Sequence, residues 1–426
     1  MITKMNANRF ATRSLKDPRI LRILSSTLKA VDPADAVRAH LPTLKGKVHG
    51  LGIGKASIPM LTALAETTPL SSALAISKHD SSFTSNLFPI LLGGHPIPNL
   101  DSLRAGQRAL DFVSALHEDD TLICLISGGG SALMTAPHEG ISLEDMQTLT
   151  SLLLASGARI DEINTLRRQL DRVKGGGLAR ATKAKVTSLI LSDVIGNPLE
   201  AIASGPTYPD PTTKDDALAV LRKYGIEDKT SRSILDYLAT ANSSTPERLR
   251  AKREVTNLIV GDNNLASIAA MEQAQREDFH TEILTNELQG EAREAGVMLA
   301  KKLKDELSKR PRPFCLIAGG ETTVTLKGNG KGGRNQELAL AAVDELKDMD
   351  NIILISLATD GEDGPTDAAG AVVTGASAQR AESLGLLAAD YLSRNDAYSF
   401  FDEIGDLIRT GPSGTNVNDL VFLVAM

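Results

Sequence analysis

A lysine closes a glycine-rich turn in the stretch VHGLGIGKASIPM, Val48 to Met60. A P-loop needs Gly, four residues, then Gly-Lys-Ser/Thr. His49 stands at its first position and Ala56 at its last. The dinucleotide fingerprint Gly-x-Gly-x-x-Gly requires a third glycine where Ser57 stands. Even so, an apolar run, Gly52, Gly54, Lys55 and an opening helix predict an anion site. Backbone N–H groups at a helix N-terminus would supply it, with Lys55 adding a point charge. A tight strand–helix turn with a solvated lysine is the competing reading.

The next such stretch is SGGGSALM, with Ser127, Gly128, Gly129, Gly130 and Ser131 directly after an apolar run. Consecutive glycines form nests of N–H groups. Gly-x-Ser-x-Gly is absent, and the histidines His117 and His138 lie in polar helix-end or loop contexts, so an anion cradle is expected rather than a nucleophile. Arg167 and Lys174 are seven residues apart, two turns along one face of an expected helix that Gly175 to Gly177 stop or bend. A solvated basic face is the alternative. Asp193 follows an apolar run, with Ser204-Gly205-Pro206 forming a second turn nearby. An acid at a strand's carboxyl end binds a metal or a hydroxyl, or caps the next turn.

The second half carries the most specific stretch, IAGGETTVTLKGNGKGGRNQELAL. Glu321 follows a glycine pair, then comes an expected strand, TTVTL, and a loop with Lys327, Lys331 and Arg334 leading into a helix at Asn335. Such cationic loops suit phosphoryl oxygens. Asp360, Asp363 and Asp367 share one loop and repel one another unless a cation or solvent relieves them. EF-hand spacing fails, and Mg²⁺ shared with substrate phosphates fits better. Thr415, Asn416 and Asn418 form a turn before a final apolar run. Cationic loops, acidic loops and glycine nests together are the mixture that phosphoryl transfer needs.

The elements that must position these loops read as an α/β chain. Short apolar runs alternate with longer amphipathic ones, the sign of βαβ units and a largely parallel sheet. Asp101 is the expected N-cap of one helix. With 426 residues, two domains are expected, 1–250 and 251–426, divided by the polar stretch TANSSTPERLRAKRE, with either terminus able to pack on the other domain. A net charge of −7 argues against a nucleic-acid groove but leaves room for a local cationic pocket. Cys124 and Cys315 sit in apolar runs and read as buried strand residues, not a disulfide framework. No apolar run has transmembrane length. The basic, acid-free start reads as a frayed end or leading helix rather than a transit peptide, and a cytoplasmic location is expected.

The stretches GIGKAS, SGGGSAL, INTLRR…KGGGLA, LSDVIGNPLEAIASGPT, GNGKGGRNQELAL, ATDGEDGPTDAAGAV and GPSGTNVNDL resemble the glycerate 2-kinase, or MOFRL, family, many members of which carry a hydroxypyruvate reductase label. The resemblance spans nearly the whole chain. It implies two three-layer α/β/α domains, a Rossmann-like N-terminal one and a MOFRL-type C-terminal one, around an interdomain cleft. It implies ATP- and Mg²⁺-dependent phosphorylation of D-glycerate to 2-phosphoglycerate. Lys55, Asp193, Glu321 and Arg334 are then the expected catalytic residues. Gly54, Ser127, Gly128, Gly129, Ser131, Arg167, Lys174, Asn263, Lys331 and Asn416 are expected to bind substrate or nucleotide, and Asp360 and Asp367 the metal. Either Asp193 or Glu321 would handle the C2 hydroxyl proton. Expected partners are a small hydroxy acid and neither nucleic acid nor membrane, with a homodimer as a possible assembly. Two departures stand out: Asn197 where an acid is expected and Asp171 where a serine is expected. A nicotinamide-dependent hydroxypyruvate reductase is the runner-up, weakened by the missing glycine and by Lys78 where a ribose-binding acid belongs. A non-catalytic sensor of an organic acid or nucleotide is the third reading.

Overall fold

The computed structural model describes residues 6–78, 86–240 and 255–426. The chain forms two compact units. One is Pro33–Val260; the other combines the chain up to Asp32 with Gly261–Met426. The boundary expected at residue 250 lies outside the described residues. The strand that follows it, Val255–Gly261, joins the first unit's sheet, so the change of unit falls after Val260. In chain order, the first unit is inserted into the second.

Among the described residues the inserted unit holds six strands: β1 (Val48–Ile53), β2 (Ser72–Ser77), β3 (Ile90–Leu92), β4 (Thr121–Ile126), β5 (Lys185–Leu191) and β6 (Val255–Gly261), in the order β3-β2-β1-β4-β5-β6. The pairs β2/β3, β1/β2, β1/β4 and β4/β5 are parallel, as expected. Sequence pattern explains the placement. The central β1 and β4 are apolar runs buried at every residue, whereas the edge strands β3 and β6 are half-exposed. Helices cover the sheet, sealing a core of Leu51, Ile53, Leu74, Ile76, Leu122, Cys124 and Ile126. A satellite cluster, including Leu149, Leu153, Ile163, Leu166 and Leu221, lies among the helices of residues 143–239. The helix Leu100–Ser114 is capped by Asn99, not by Asp101 as expected. The Asn99 side chain and Ser102 exchange bonds with each other's backbone N–H, satisfying two orphan donors at once.

In the other unit, β7 (His280–Leu288), β8 (Phe314–Gly320), β9 (Ile352–Ala358), β10 (Gly370–Thr374), β11 (Leu407–Ile408) and β12 (Asp419–Ala425) run in the order β11-β10-β9-β12-β8-β7. Here the expected parallel sheet gives way to a mixed one. Only β7/β8 is parallel, while β8/β12, β12/β9, β9/β10 and β10/β11 are antiparallel. The cause is the last strand. DLVFLVA is apolar on both faces, so it is buried throughout and enters the middle of the sheet between β8 and β9. The strand expected at Thr322–Leu326 does not form: Thr323 makes a single bridge to Glu291, and Leu326 is 77% exposed. Phe314, Leu316, Phe400, Phe401 and Leu423 anchor the core.

The first helix, Pro18–Ala30, belongs to this second unit. It lies on the helix Asn263–Arg276. The Arg22 guanidinium binds Glu277 at 2.5 Å, and the Thr415 hydroxyl donates to the Val31 carbonyl. Asp406, wholly buried, accepts from the hydroxyls of Thr12 and Ser14 and pairs with Arg380. Among the described residues, no helix is long and apolar enough to cross a membrane.

Candidate active site

In an open parallel sheet, ligands bind where strand order reverses, outside the carboxyl ends of the strands. In the inserted unit β1 is that point, with β2 on one side and β4 on the other. The turn after β1 carries Gly54 and Lys55, and the turn after β4 carries Ser127 to Ser131. The two turns are locked together. Lys55 N–H donates to the Gly128 carbonyl at 2.9 Å, and Ala56 N–H donates to Ser127 Oγ at 3.0 Å. Gly54, at φ +113°, lies so close that a Cβ there would stand 2.3 Å from the Ser127 carbonyl oxygen.

This geometry corrects the first expectation. The N–H groups of Gly54, Lys55, Ala56 and Ser57 bond to Ile76, Gly128, Ser127 and Gly54, so they are spent inside the protein. The turn is no backbone cradle; what it offers is the Lys55 side chain. Ser57, where the dinucleotide fingerprint wants glycine, is buried and donates to the Ile76 carbonyl. The available N–H groups are those of Gly128, Gly129 and Gly130, which find no acceptor among the described residues. Ser127 is therefore a strut, and the glycines after it are the nest.

Three elements converge on that nest. The Asp193 carboxylate, just past β5, packs on Gly128: a Cβ on this glycine would stand 1.8 Å from Asp193 Oδ2. Over Gly129 (φ +82°), the same imaginary Cβ meets the His95 ring at 3.2 Å and the Lys55 stem at 3.4 Å. Ser131 Oγ meets Ser204 Oγ at 2.7 Å, and Ser204 donates to Asn164 Oδ1 at 3.3 Å. Arg167 then reaches the same Asn164 oxygen at 3.5 Å.

Arg167 and Lys174 do not share a helix. The helix Ile160–Leu170 ends where Asp171 turns extended and bridges Pro137. The Asp171 carboxylate accepts from Ala136 and Val173 N–H and from the Thr135 hydroxyl, and it is paired with the Lys174 ammonium. Lys174 also donates to the Met134 carbonyl. Burial pulls the Lys174 ammonium below the usual lysine range, against the opposing pull of Asp171. Lys174 is thus an internal brace, and Asp171, the first departure from the family pattern, is its counter-charge. Asn197, the second, sits at φ +54°, a left-handed position that asparagine tolerates well.

In the other unit, the polar groups gather at the ends of β8, β9 and β12. Arg334, at the start of the helix Arg334–Ala342, donates to Asp419 through Nε at 2.5 Å and Nη2 at 3.1 Å, and to Glu321 through Nη1 at 2.6 Å. Asp363 is buried beneath, accepting from Asn335 and Gln336 N–H at the same helix N-terminus. Burial and the nearby Asp419 carboxylate push the Asp363 carboxyl up to about 7. The three loop aspartates relieve their repulsion by separating. Asp363 caps a helix, Asp360 is half-buried after β9, and Asp367 is exposed with Tyr398 at 2.7 Å and Arg409 at 3.3 Å. Among the described residues, no three His, Cys, Asp or Glu side chains form a metal cluster.

The remaining expected ligands have local partners. Lys331 lies over the Tyr398 ring at 3.9 Å. Asn263 donates to the carbonyls of Val417 and Asp419, and Asn416 accepts from Asn418 N–H at 3.3 Å, so both hold the turn into β12. Both cysteines are buried and free, with thiols pushed up to about 12 by burial.

Asp419, His95 and Asn164 were not singled out in the sequence, and Ser204 was read only as part of a turn. Asp419 escapes a search of strand carboxyl ends because it opens β12. The antiparallel pairing sets it opposite Gly320 and Ala358, at the carboxyl ends of β8 and β9. His95 had a signal: a histidine in GGHPIPN shortly after an apolar run.

The fold and these two sets of strand-end loops define an α/β enzyme scaffold. Residues 19–239 match a domain of unknown function, DUF4147, and residues 314–419 match the MOFRL family. The chain is 43% identical to the D-glycerate 2-kinase of Thermotoga maritima, over 97% of this chain and 99% of that one. It is 38% identical to the glycerate 2-kinase of Pyrococcus horikoshii, covering 95% and 96%. A protein of Agrobacterium vitis bearing a hydroxypyruvate reductase name is 37% identical, covering 94% and 92%. The crystal structure of the Thermotoga maritima glycerate kinase superposes with a TM-score of 0.87 at 42% identity, covering 95% of this chain and 98% of that one. The chain belongs to the glycerate 2-kinase (MOFRL) family.

Proposed function

We propose that this chain is an ATP-dependent kinase that phosphorylates D-glycerate on its 2-hydroxyl, giving 2-phosphoglycerate. The observation that carries the reading is the meeting of an acid, a cation and unengaged N–H groups at the β1/β4 switch point, in a chain so similar to the D-glycerate 2-kinase of Thermotoga maritima. Phosphoryl transfer asks for little covalent chemistry and much positioning and charge. Asp193 orients the acceptor hydroxyl and takes its proton. Lys55 and the N–H groups of Gly128 to Gly130 bear the negative charge beside it.

The loops of the other unit suit the nucleotide. Mg²⁺ keeps most of its ligands from water and phosphate oxygens, so one or two carboxylates suffice. Glu321 and Asp360, each half-buried at the end of a strand, would hold it, and it would neutralise charge on the ATP phosphates. Arg334 fixes Glu321 and Asp419 in place. Asp367, held by Tyr398 and Arg409, is left outside this set.

The test is direct. The protein is incubated with D-glycerate, ATP and Mg²⁺ while ADP is measured, and the product is assigned by phosphorus NMR. Glycerate-dependent ADP release with a 2-phosphoglycerate signal is expected. NAD(P)H oxidation with hydroxypyruvate, and no ADP, would replace this reading by the reductase.

A further inference from the structure

We propose that Arg167, together with Asn164, Ser131 and Ser204, is the subsite that grips the carboxylate of the hydroxy-acid acceptor. The inference rests on the kinase reading and assigns a part of the substrate to a particular place in the inserted unit.

Four cations lie on the segment 167–174: Arg172 is exposed, and of the other three two are satisfied. Arg168 is buried and bonded to Asp210 at 2.8 Å, while Lys174 is buried and paired with Asp171. Arg167 has no carboxylate partner among the described residues. Of the five N–H donors on a guanidinium, it uses one, on the Asn164 amide oxygen at 3.5 Å, the outer limit of a hydrogen bond. Its surroundings strip it of water enough to disfavour the charge. A half-buried arginine without a counter-ion is matched best by an incoming planar anion, which its fork binds through two parallel bonds.

The hydroxyls beside it are aimed at a cost. Ala203, Ser204 and Gly205 are left-handed in succession, at φ +50°, +58° and +61°. Strain of this kind persists only where neighbours over-determine it. Here Gly175 N–H binds the Ser204 carbonyl, Gly176 N–H the Gly205 carbonyl, and Leu178 N–H the Pro206 carbonyl. The consequence is that Ser204 Oγ points at both Ser131 and Asn164. Ser131 is three residues from Gly128, a span of at most about 11 Å. Asp193 thus lies at one end of the glycine nest and the arginine chain at the other. A hydroxy acid bound between them has its carboxylate toward Arg167 and the 2-hydroxyl, on the adjacent carbon, toward Asp193. A polyphosphate is the poorer occupant, because its repeated negative charge would face the Asp193 carboxylate.

The experiment compares wild type, Arg167→Gln and Arg167→Lys with D-glycerate and with its uncharged amide, glyceramide, in steady-state ADP release. For Arg167→Gln the KM for D-glycerate is expected to rise about 100-fold, as for loss of a partner in a desolvated charge pair. The KM for ATP stays put, and the preference for glycerate over glyceramide collapses. Arg167→Lys, which keeps charge but loses the fork, falls between and guards against misfolding of the glutamine variant. A rise in the ATP KM alone, or unchanged discrimination between glycerate and glyceramide, overturns the subsite while leaving the kinase reading intact. A wild-type protein that makes no ADP with glycerate overturns both.

Discussion

Asp193 and Gly128 touch so closely that the glycine cannot carry a side chain: a Cβ would stand 1.8 Å from Asp193 Oδ2. Gly128→Ala must therefore displace the carboxylate. A shift of about 1 Å in a positioning group costs on the order of 100-fold in rate, and that fall in kcat/KM is expected. The melting temperature should change far less, since Asp193 is only partly buried. The double variant Gly128→Ala/Asp193→Ser relieves the collision without restoring turnover. Full activity in Gly128→Ala would remove Asp193 from the reaction.

Lys55 and Arg334 are expected to separate when each is replaced by alanine. The Lys55 side chain makes no ion pair among the described residues, so Lys55→Ala should lose about 1000-fold in kcat and keep its stability. Arg334 stands between Glu321 and Asp419. Its removal leaves two carboxylates facing each other, and Arg334→Ala should lose both turnover and about 1–3 kcal/mol by urea unfolding. An Arg334→Ala protein with the wild-type midpoint would mean that the trio carries no stability.

Lys174→Met tests whether this lysine is a brace. It would strand the buried Asp171 carboxylate without its counter-charge, costing about 3–5 kcal/mol. Adding Asp171→Asn should recover part of that. If Lys174→Met instead unfolds like wild type but loses glycerate binding, the lysine is a ligand after all.

A pH dependence follows from Glu162. Bonds from Lys223 and Tyr224, both at 2.6 Å, draw its carboxyl from 4.5 down to about 2. A folded-state value below the unfolded one gives stability that is present above about pH 4.5 and lost as pH falls toward 2. Glu162→Gln should therefore melt below wild type near neutrality, with the gap closing across that acid window. Parallel melting curves at every pH would contradict this.

The inserted unit was legible because its chemistry obeys simple rules. Buried apolar runs mark β1, β4 and β5, and Gly54, Lys55, Ser127 to Ser131 and Asp193 lie just past their carboxyl ends, as the sequence pattern predicts. What spacing could not reveal is which N–H groups are already consumed. The turn at Gly54–Ser57 looks like a cradle and is not one, because long-range partners at Ile76 and Gly128 take its donors. Arg167 and Lys174 misled for a related reason: helical periodicity continued past Leu170, whereas Asp171 ends the helix through bonds to Ala136 and Thr135. In the other unit, strand direction was the missing quantity. Asp419 became visible only once β12 ran antiparallel between β8 and β9.

The central position of β12 also bears on biosynthesis. β12 follows β8 and β9 in the chain yet must slot between them, and the helix Pro18–Ala30 is separated by the whole inserted unit from its packing partner, Asn263–Arg276. Domains generally fold as units during translation. The inserted unit, Pro33–Val260, can finish its own sheet while synthesis continues, whereas the surrounding unit must wait, with the helix Pro18–Ala30 unhoused, until β12 has emerged. Chaperone demand should accordingly concentrate on the two segments that flank the inserted unit rather than on the inserted unit itself.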